Sequence, residues 1–329
     1  MLRLILFTLG LLTLFFIVWH IGLGNIYDAV ARLGPAALLT MLGPSVVMYM
    51  LEAQGWRMTL GRYAQAVPFW KLLAIRTAGE VVNMTTPTAY VGGEPLKAYL
   101  LKRYGVPMVE GLASVVTAKT TMTIAQIGFI LIGMAAGLWL LGTGGSPGQT
   151  VVATAVSVGL LTFGIGGFVL IQRRGIFATL LRLLRKTGLS MKFMESHEEK
   201  LLALDRTIAA FYSGNRAGFL LSILLFFLGW LAETVEVYVM LRILGESVTL
   251  TTSIAIGALS VFIKGGAFFI PGSLGAQDAG NLVLVTTFGF GEVTGITFAL
   301  LRRFRELVWV LIGLACLAMI GRVTDEARS

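Results

Sequence analysis

The stretch Gly79-Glu80-Val81-Val82-Asn83-Met84-Thr85-Thr86-Pro87-Thr88-Ala89-Tyr90-Val91-Gly92-Gly93-Glu94-Pro95-Leu96-Lys97 decides how the rest of the chain reads. It is polar and rich in helix breakers, and it runs on to Lys102 and Arg103. On both sides lie segments apolar enough to cross a bilayer. Irregular backbone cannot face lipid, where its open N–H and C=O groups would have no partners. The stretch is therefore expected to be buried in protein or to line a wet cavity, as the floor of a substrate site.

The composition around it sets the class. Apolar residues make up 56% of the 329 and charged residues 13%, with a mean hydropathy of +0.84. A soluble domain carries about a quarter charged residues, so the expectation is an all-α, polytopic integral membrane bundle. The net charge of +9 does not point to nucleic acid. The basic residues lie between apolar spans, as the positive-inside rule requires, and no nucleic-acid recognition motif accompanies them. A single cysteine, Cys316, excludes an intrachain disulfide, and His20 and His197 are too far apart in sequence to suggest a metal site. No cofactor is expected.

Working outward, residues 4–21 read as an uncleaved first span rather than a signal peptide, because no A-x-A-like site follows. Residues 35–51 read as a second span. Residues 61–78 mix Arg62, Lys71 and Arg76 with Phe69, Trp70 and Leu72, which suits an interfacial helix. A hairpin over 79–94 follows, then a helical pattern over 107–141 carrying Glu110 and Lys119. An uncharged loop over 142–148 leads to a plain span over 151–171. The basic segment 172–216 carries leucines between its arginines and lysines, as in helices lying on an anionic leaflet. Residues 219–240 span again with Glu233 and Glu236 inside. Residues 253–270 are apolar but interrupted by Lys264-Gly265-Gly266, and Pro271-Gly272-Ser273-Leu274-Gly275-Ala276-Gln277-Asp278 comes next. The last long helix carries Arg302, Arg303, Arg305 and Glu306. Lys/Arg distribution places both termini in the cytoplasm.

The two Gly/Pro hairpins superpose without gaps. Pro87 and Pro271 are 184 residues apart, and the same offset pairs Glu94 with Asp278, Glu52 with Glu236, Gly61 with Gly245, Gly105 with Gly289 and Lys119 with Arg303. Glu80 falls on Lys264, which reverses the charge. Counting spans, the first hairpin enters from the cytoplasm and the second from outside. That describes an inverted repeat of two re-entrant, broken-helix hairpins, which meet near the bilayer midplane in proteins of this kind. The chain is then one transmembrane domain over 1–329. Its first half covers about 1–141, a linking span and basic cytoplasmic segment 142–216, and its second half about 217–321.

Ionisable residues at membrane depth are costly unless paired or wet, so each is a candidate for function. Glu80, Asn83 and Glu94 flank the first hairpin, with Lys97 one turn on. Pro87, Gly92, Gly93, Pro271, Gly272 and Gly275 shape the two turns. Lys119, Lys264, Arg302 and Arg303 form a cationic lining suited to an anionic head group, because the planar guanidinium binds two phosphate oxygens at once. Asp278 is the second hairpin's carboxylate. Glu52 and Glu236 are expected to neutralise these cations when the site is empty. Glu233 and Glu236 share a helix face, which makes one of them a candidate proton carrier. No nucleophile elbow or phosphate-binding loop is present, so catalysis is not expected.

The pattern Glu80-x-x-Asn83-x-x-x-Pro87-x-x-x-x-Gly92-Gly93-Glu94-x-x-Lys97 resembles the signature of the lysylphosphatidylglycerol synthetase transmembrane-region, or flippase-like, family. Pro271-Gly-Ser-Leu-Gly275-x-x-Asp278 resembles its second signature, with Ser273 for the usual Gly and Asp278 for the usual Glu. The Gly-Gly-Glu-Pro variant is most similar to the hopanoid-biosynthesis-associated branch. The resemblance implies a protein of a bacterial plasma (inner) membrane, or of an archaeal one, with a suspected role in moving lipids, phospholipid or polyprenyl/hopanoid-type, between leaflets. With no ATPase motif, transport would be passive or ion-coupled. The alternatives are a membrane-embedded lipid or isoprenoid-phosphate transferase using Glu80 or Glu94 as base, and a scaffold that gathers lipid-synthesis enzymes through 172–216.

Overall fold

The computed structural model describes residues 33–85, 92–141, 214–266 and 275–326, with residues 31, 199, 202, 205–207 and 273. The expected spans at 4–21 and 151–171, the loop 142–148, nearly all of the basic segment 172–216, and Pro87, Pro271 and Gly272 lie outside the described residues. Within them the chain is helical and holds no strand. The helices are α1 (Gly34–Thr59), α2 (Phe69–Thr85), α3 (Gly93–Leu101), α4 (Met108–Leu141), α5 (Arg216–Ile243), α6 (Leu250–Gly266), α7 (Ala276–Thr287) and α8 (Glu292–Glu326). Three of them, α1, α4 and α5, are long and apolar enough to cross a membrane. The fold is an all-α polytopic membrane bundle.

Much of the surface is apolar, and charged groups lie buried beside an apolar core. Arg302, Arg303, Arg305 and Glu306 are buried, while Leu311, Ile312 and Met319 further along the same helix α8 are exposed. On α5, Leu220, Leu224 and Val235 are exposed while Glu233 and Glu236 are buried. Lipid tails solvate the leucines as well as protein does, whereas buried charged groups need partners that only the interior supplies.

Helices α1 and α5 pack along each other at the centre. Small residues let them approach: a Cβ added to Gly55 would lie 3.1 Å from the Phe226 ring, and one on Gly229 3.2 Å from Glu52 Cγ. Hydroxyls fasten the contact. Ser222 donates to the Gly55 carbonyl at 2.9 Å and lies 2.8 Å from Thr121 of α4. Trp309 of α8 donates to Ser45 of α1 at 3.0 Å. Such interhelical hydrogen bonds are the available adhesive where apolar burial supplies little driving force.

Element order repeats. Helices α1 to α4 recur as α5 to α8, their first residues separated by 182, 181, 183 and 184 positions. The neighbours recur as well: α1 packs on α2 as α5 does on α6, and α3 on α4 as α7 does on α8. The contacts between halves are reciprocal, α2 on α8 and α4 on α6. Gly61 and Gly245, and Gly105 and Gly289, all have positive φ, so those sequence matches mark equivalent helix ends.

One expectation is corrected. The segment 61–78 is not an interfacial helix that stops before the hairpin. A 3₁₀ turn at Gly61–Tyr63 is followed by α2, which runs unbroken from Phe69 through Gly79 to Thr85. Leu72, Ile75, Arg76 and Thr77 are buried, because α2 packs against α8 and α3. Lys264-Gly265-Gly266 form the last turn of α6, and the rest of that expected stretch, 267–270, lies outside the described residues. Gly79, read as a breaker, is here a residue of close approach inside a helix.

Candidate functional site

The first hairpin is α2 and α3. They cross where neither side has room: a Cβ on Gly93 would lie 1.9 Å from the Gly79 carbonyl oxygen, and one on Gly79 would lie 2.5 Å from Lys97 Cγ and Cε. Asn83 clasps the two helices. Its Oδ1 accepts the Gly93 N–H at 2.7 Å, and its Nδ2 donates to Glu94 Oε1 at 2.9 Å. Glu94 is thereby held at the start of α3, where a carboxylate also suits the helix N-terminus. It receives Lys97 Nζ at 3.0 and 3.2 Å, and Lys119 Nζ of α4 lies 3.5 Å away. Glu80 lies 3.8 Å from the same Lys97.

The second hairpin is α6 and α7. Gly275, with φ of +77°, caps α7, and its N–H donates to Asp278 Oδ2 at 3.0 Å. Arg303 of α8 reaches across: Nε donates to Asp278 Oδ1 at 2.7 Å, and a terminal nitrogen donates to Oδ2 at 3.0 Å. The shorter carboxylate thus still meets its cation. The same guanidinium bonds Glu306 at 2.5 Å and the Ser273 carbonyl at 3.3 Å. Ser273 is fully buried with φ of +49°, at the position where glycine is usual in the resembling signature. Lys264 of α6 lies 3.5 Å from Glu306.

Between the hairpins runs a ladder of buried ion pairs. Arg302 and Arg305 on α8 pair with Glu233 and Glu236 on α5, the second pair at 3.0 Å. Both sides use a spacing of three, so the two rungs lie one helical turn apart. Glu52 of α1 pairs with Arg76 of α2, whose guanidinium also sits 4.8 Å from the centre of the Tyr49 ring. Tyr49 in turn stacks on Trp309 at 3.6 Å.

These groups surround one cavity of about 250 Å³ inside the bundle. Arg76, Glu80, Lys119, Lys264, Arg302 and Arg305 line it, with Glu52, Glu233 and Glu306 and the aromatic walls Tyr49, Trp230 and Trp309. A smaller chamber of about 30 Å³ shares Arg76, Glu80 and Lys119 and is also lined by Glu94 and Lys97. A cavity of that volume admits several waters or a small polar group. Glu94 and Asp278 are not stranded on separate surfaces. Glu94 reaches the cavity through Lys119, and Asp278 through Arg303, Glu306 and Lys264.

The candidate residues from the sequence are therefore gathered, apart from Pro87, Pro271 and Gly272, which lie outside the described residues. Gly92 and Gly275 precede the first residues of α3 and α7, and Gly93 opens α3. Asn83 binds across the hairpin and also donates to Glu80, one turn back on α2, at 3.4 Å. Glu52 and Glu236 do neutralise buried cations, but those cations are Arg76 and Arg305, not the four singled out from sequence. Glu233 and Glu236 each face an arginine of their own. Arg76, Arg305, Glu306, Tyr49, Trp230 and Trp309 were not singled out. For α8 the signal was present: residues 302, 305, 306 and 309 fall on one helix face beside an apolar run. For Arg76 it was masked by neighbours typical of an interface.

A charged cavity in a helical bundle with an apolar exterior defines a polytopic membrane protein with a polar interior site. The family profile described as the lysylphosphatidylglycerol synthase TM region matches residues 1–314, and the chain belongs to that family. Two relatives are UPF0104 membrane proteins of Methanothermobacter thermautotrophicus (strain Delta H). One is 22% identical over 98% of this chain and 96% of its own length. The other is 25% identical over 94% of this chain and 90% of its own length. No solved structure matches the chain.

Proposed function

We propose that the protein binds an anionic or zwitterionic lipid by its head group in the cavity and carries it between leaflets. The observation behind this reading is the cavity itself, built from both halves and lined by five cations and four carboxylates inside an apolar bundle. Charges at that depth are expensive and are retained where a substrate needs them. The repeated element order supports an inverted repeat whose hairpins open toward opposite sides, the arrangement used for alternating access around a fixed site. The direction of the two hairpins follows from the spans counted in sequence. In the same reading the protein sits in the plasma membrane with both termini cytoplasmic, and the basic segment 172–216 faces the anionic leaflet and any lipid-synthesis enzymes there. The substrate is a phospholipid or a polyprenyl- or hopanoid-type lipid, the last resting on the Gly-Gly-Glu-Pro variant alone.

The test is reconstitution into liposomes with labelled phosphatidylglycerol and a membrane-impermeant quencher. The expected result is leaflet exchange faster than in protein-free liposomes; equal rates reject the reading. Lipid extracts from the same vesicles separate transport from a transferase, because only an enzyme leaves a new product.

A further inference from the structure

Resting on the reading that a lipid head group occupies the cavity, we propose that the chemical group recognised there is a phosphate. It is received by arginine nitrogens from two helices and by the Trp230 indole. The observation is a shortage of acceptors. Arg302 gives one terminal nitrogen to Glu233, but its Nε and other terminal nitrogen have no hydrogen-bond partner among the described residues. One terminal nitrogen of Arg76, the Nε of Arg305 and the Nε1 of Trp230 are in the same condition. All four side chains are more than nine-tenths buried, and all four residues line the cavity. Among the other lining residues, the one buried side-chain atom left over as an acceptor is Glu306 Oε1, which already lies 3.5 Å from Lys264 Nζ.

Buried donors without partners are rare in folded proteins and call for a ligand that brings acceptors and no donors. A carboxylate offers two oxygens in one plane. A phosphate offers oxygens in a tetrahedron, which suits donors arriving from α2, α5 and α8. Guanidinium forks match phosphate oxygens in spacing, and such charge-assisted bonds are the strong ones.

The experiment uses the purified full chain in detergent, with Trp fluorescence and thermal melts as readouts. The probes are phosphatidylglycerol, a diacylglycerol with the same chains, and inorganic phosphate. Phosphatidylglycerol is expected to bind saturably and the diacylglycerol about tenfold or more weakly, a loss appropriate to several charge-assisted hydrogen bonds. Arg302→Gln combined with Glu233→Gln removes the donors without stranding a charge, and is expected to lower phosphatidylglycerol affinity about tenfold while leaving diacylglycerol unchanged. Trp230→Phe keeps the ring and removes only the N–H. It is expected to weaken phosphatidylglycerol a few-fold, and it tests the same point should the double variant fold poorly. Inorganic phosphate that displaces phosphatidylglycerol shows that the free anion is held as well; failure to displace it assigns the site to the lipid-borne group. Equal affinity for phosphatidylglycerol and diacylglycerol, or wild-type affinity in both variants, overturns the proposal. Phosphate-dependent binding without leaflet exchange removes the transport reading alone, and exchange with no preference for phosphate removes this one alone.

Discussion

Asp278 receives Arg303 edge-on, Oδ1 to Nε at 2.7 Å and Oδ2 to a terminal nitrogen at 3.0 Å. The pair has a counterpart 184 residues earlier, where Glu94 lies 3.5 Å from Lys119. In each half the carboxylate opens the hairpin's second helix, and the cation sits about three turns into the long helix that follows. The earlier pair is looser, and the Lys119 side chain is 36% exposed against 2% for Arg303.

That difference predicts unequal effects. Lys119→Met should lower the melting free energy by less than about 1 kcal/mol, since a partly exposed ion pair is worth little and Glu94 keeps Lys97 and Asn83. Asp278→Asn should cost more, about 1–3 kcal/mol, because it breaks a bidentate pair to a buried guanidinium. Thermal melts of the two purified variants decide this; equal losses would show that the halves are not mechanically distinct. Both variants should slow lipid exchange in vesicles.

Glu236 is fully buried against Arg305. Glu236→Leu alone should cost about 3–5 kcal/mol by leaving an uncompensated buried cation, and adding Arg305→Met should recover most of it. A double-mutant cycle from chemical or thermal unfolding measures the coupling. Additive losses would mean that the two side chains do not act as a pair.

Gly93→Ala should open the first hairpin, because the new methyl would sit 1.9 Å from a backbone carbonyl that cannot step aside. Overpacking of this kind costs about 1–3 kcal/mol or more. Gly265→Ala has nothing among the described residues within 4 Å of the added Cβ and should be silent. Hydrogen exchange across α2 and α3 is the measurement: faster exchange in the first variant and unchanged exchange in the second are expected.

Asn83→Ala removes the acceptor of the Gly93 N–H and one donor to Glu94. The expected cost is about 1–3 kcal/mol for a buried amide left unsatisfied. Asn83→Asp keeps the acceptor but places a carboxylate beside Glu80 and Glu94, so it should be worse than Ala rather than better. A melt series of the two variants gives the order, and the reverse order would remove Asn83 from its clasping role.

What the amino-acid sequence determined is the class and the list of costly groups. Hydropathy marks a helical membrane protein because apolar length and scarce charge suffice to choose the solvent. Charges inside such segments mark themselves, so Glu80, Glu94, Lys119, Asp278 and Arg303 were legible one by one, and the proline and carboxylate spacings paired them between halves. Tertiary structure decided which charge meets which. Glu52 takes Arg76 and Glu236 takes Arg305 because α1 packs on α2 and α5 meets α8 at those depths, a matter of helix register that no local pattern encodes. It also decided that Gly79 is a crossing point inside a continuous helix, since whether a glycine breaks a helix or admits a neighbour depends on what lies against it.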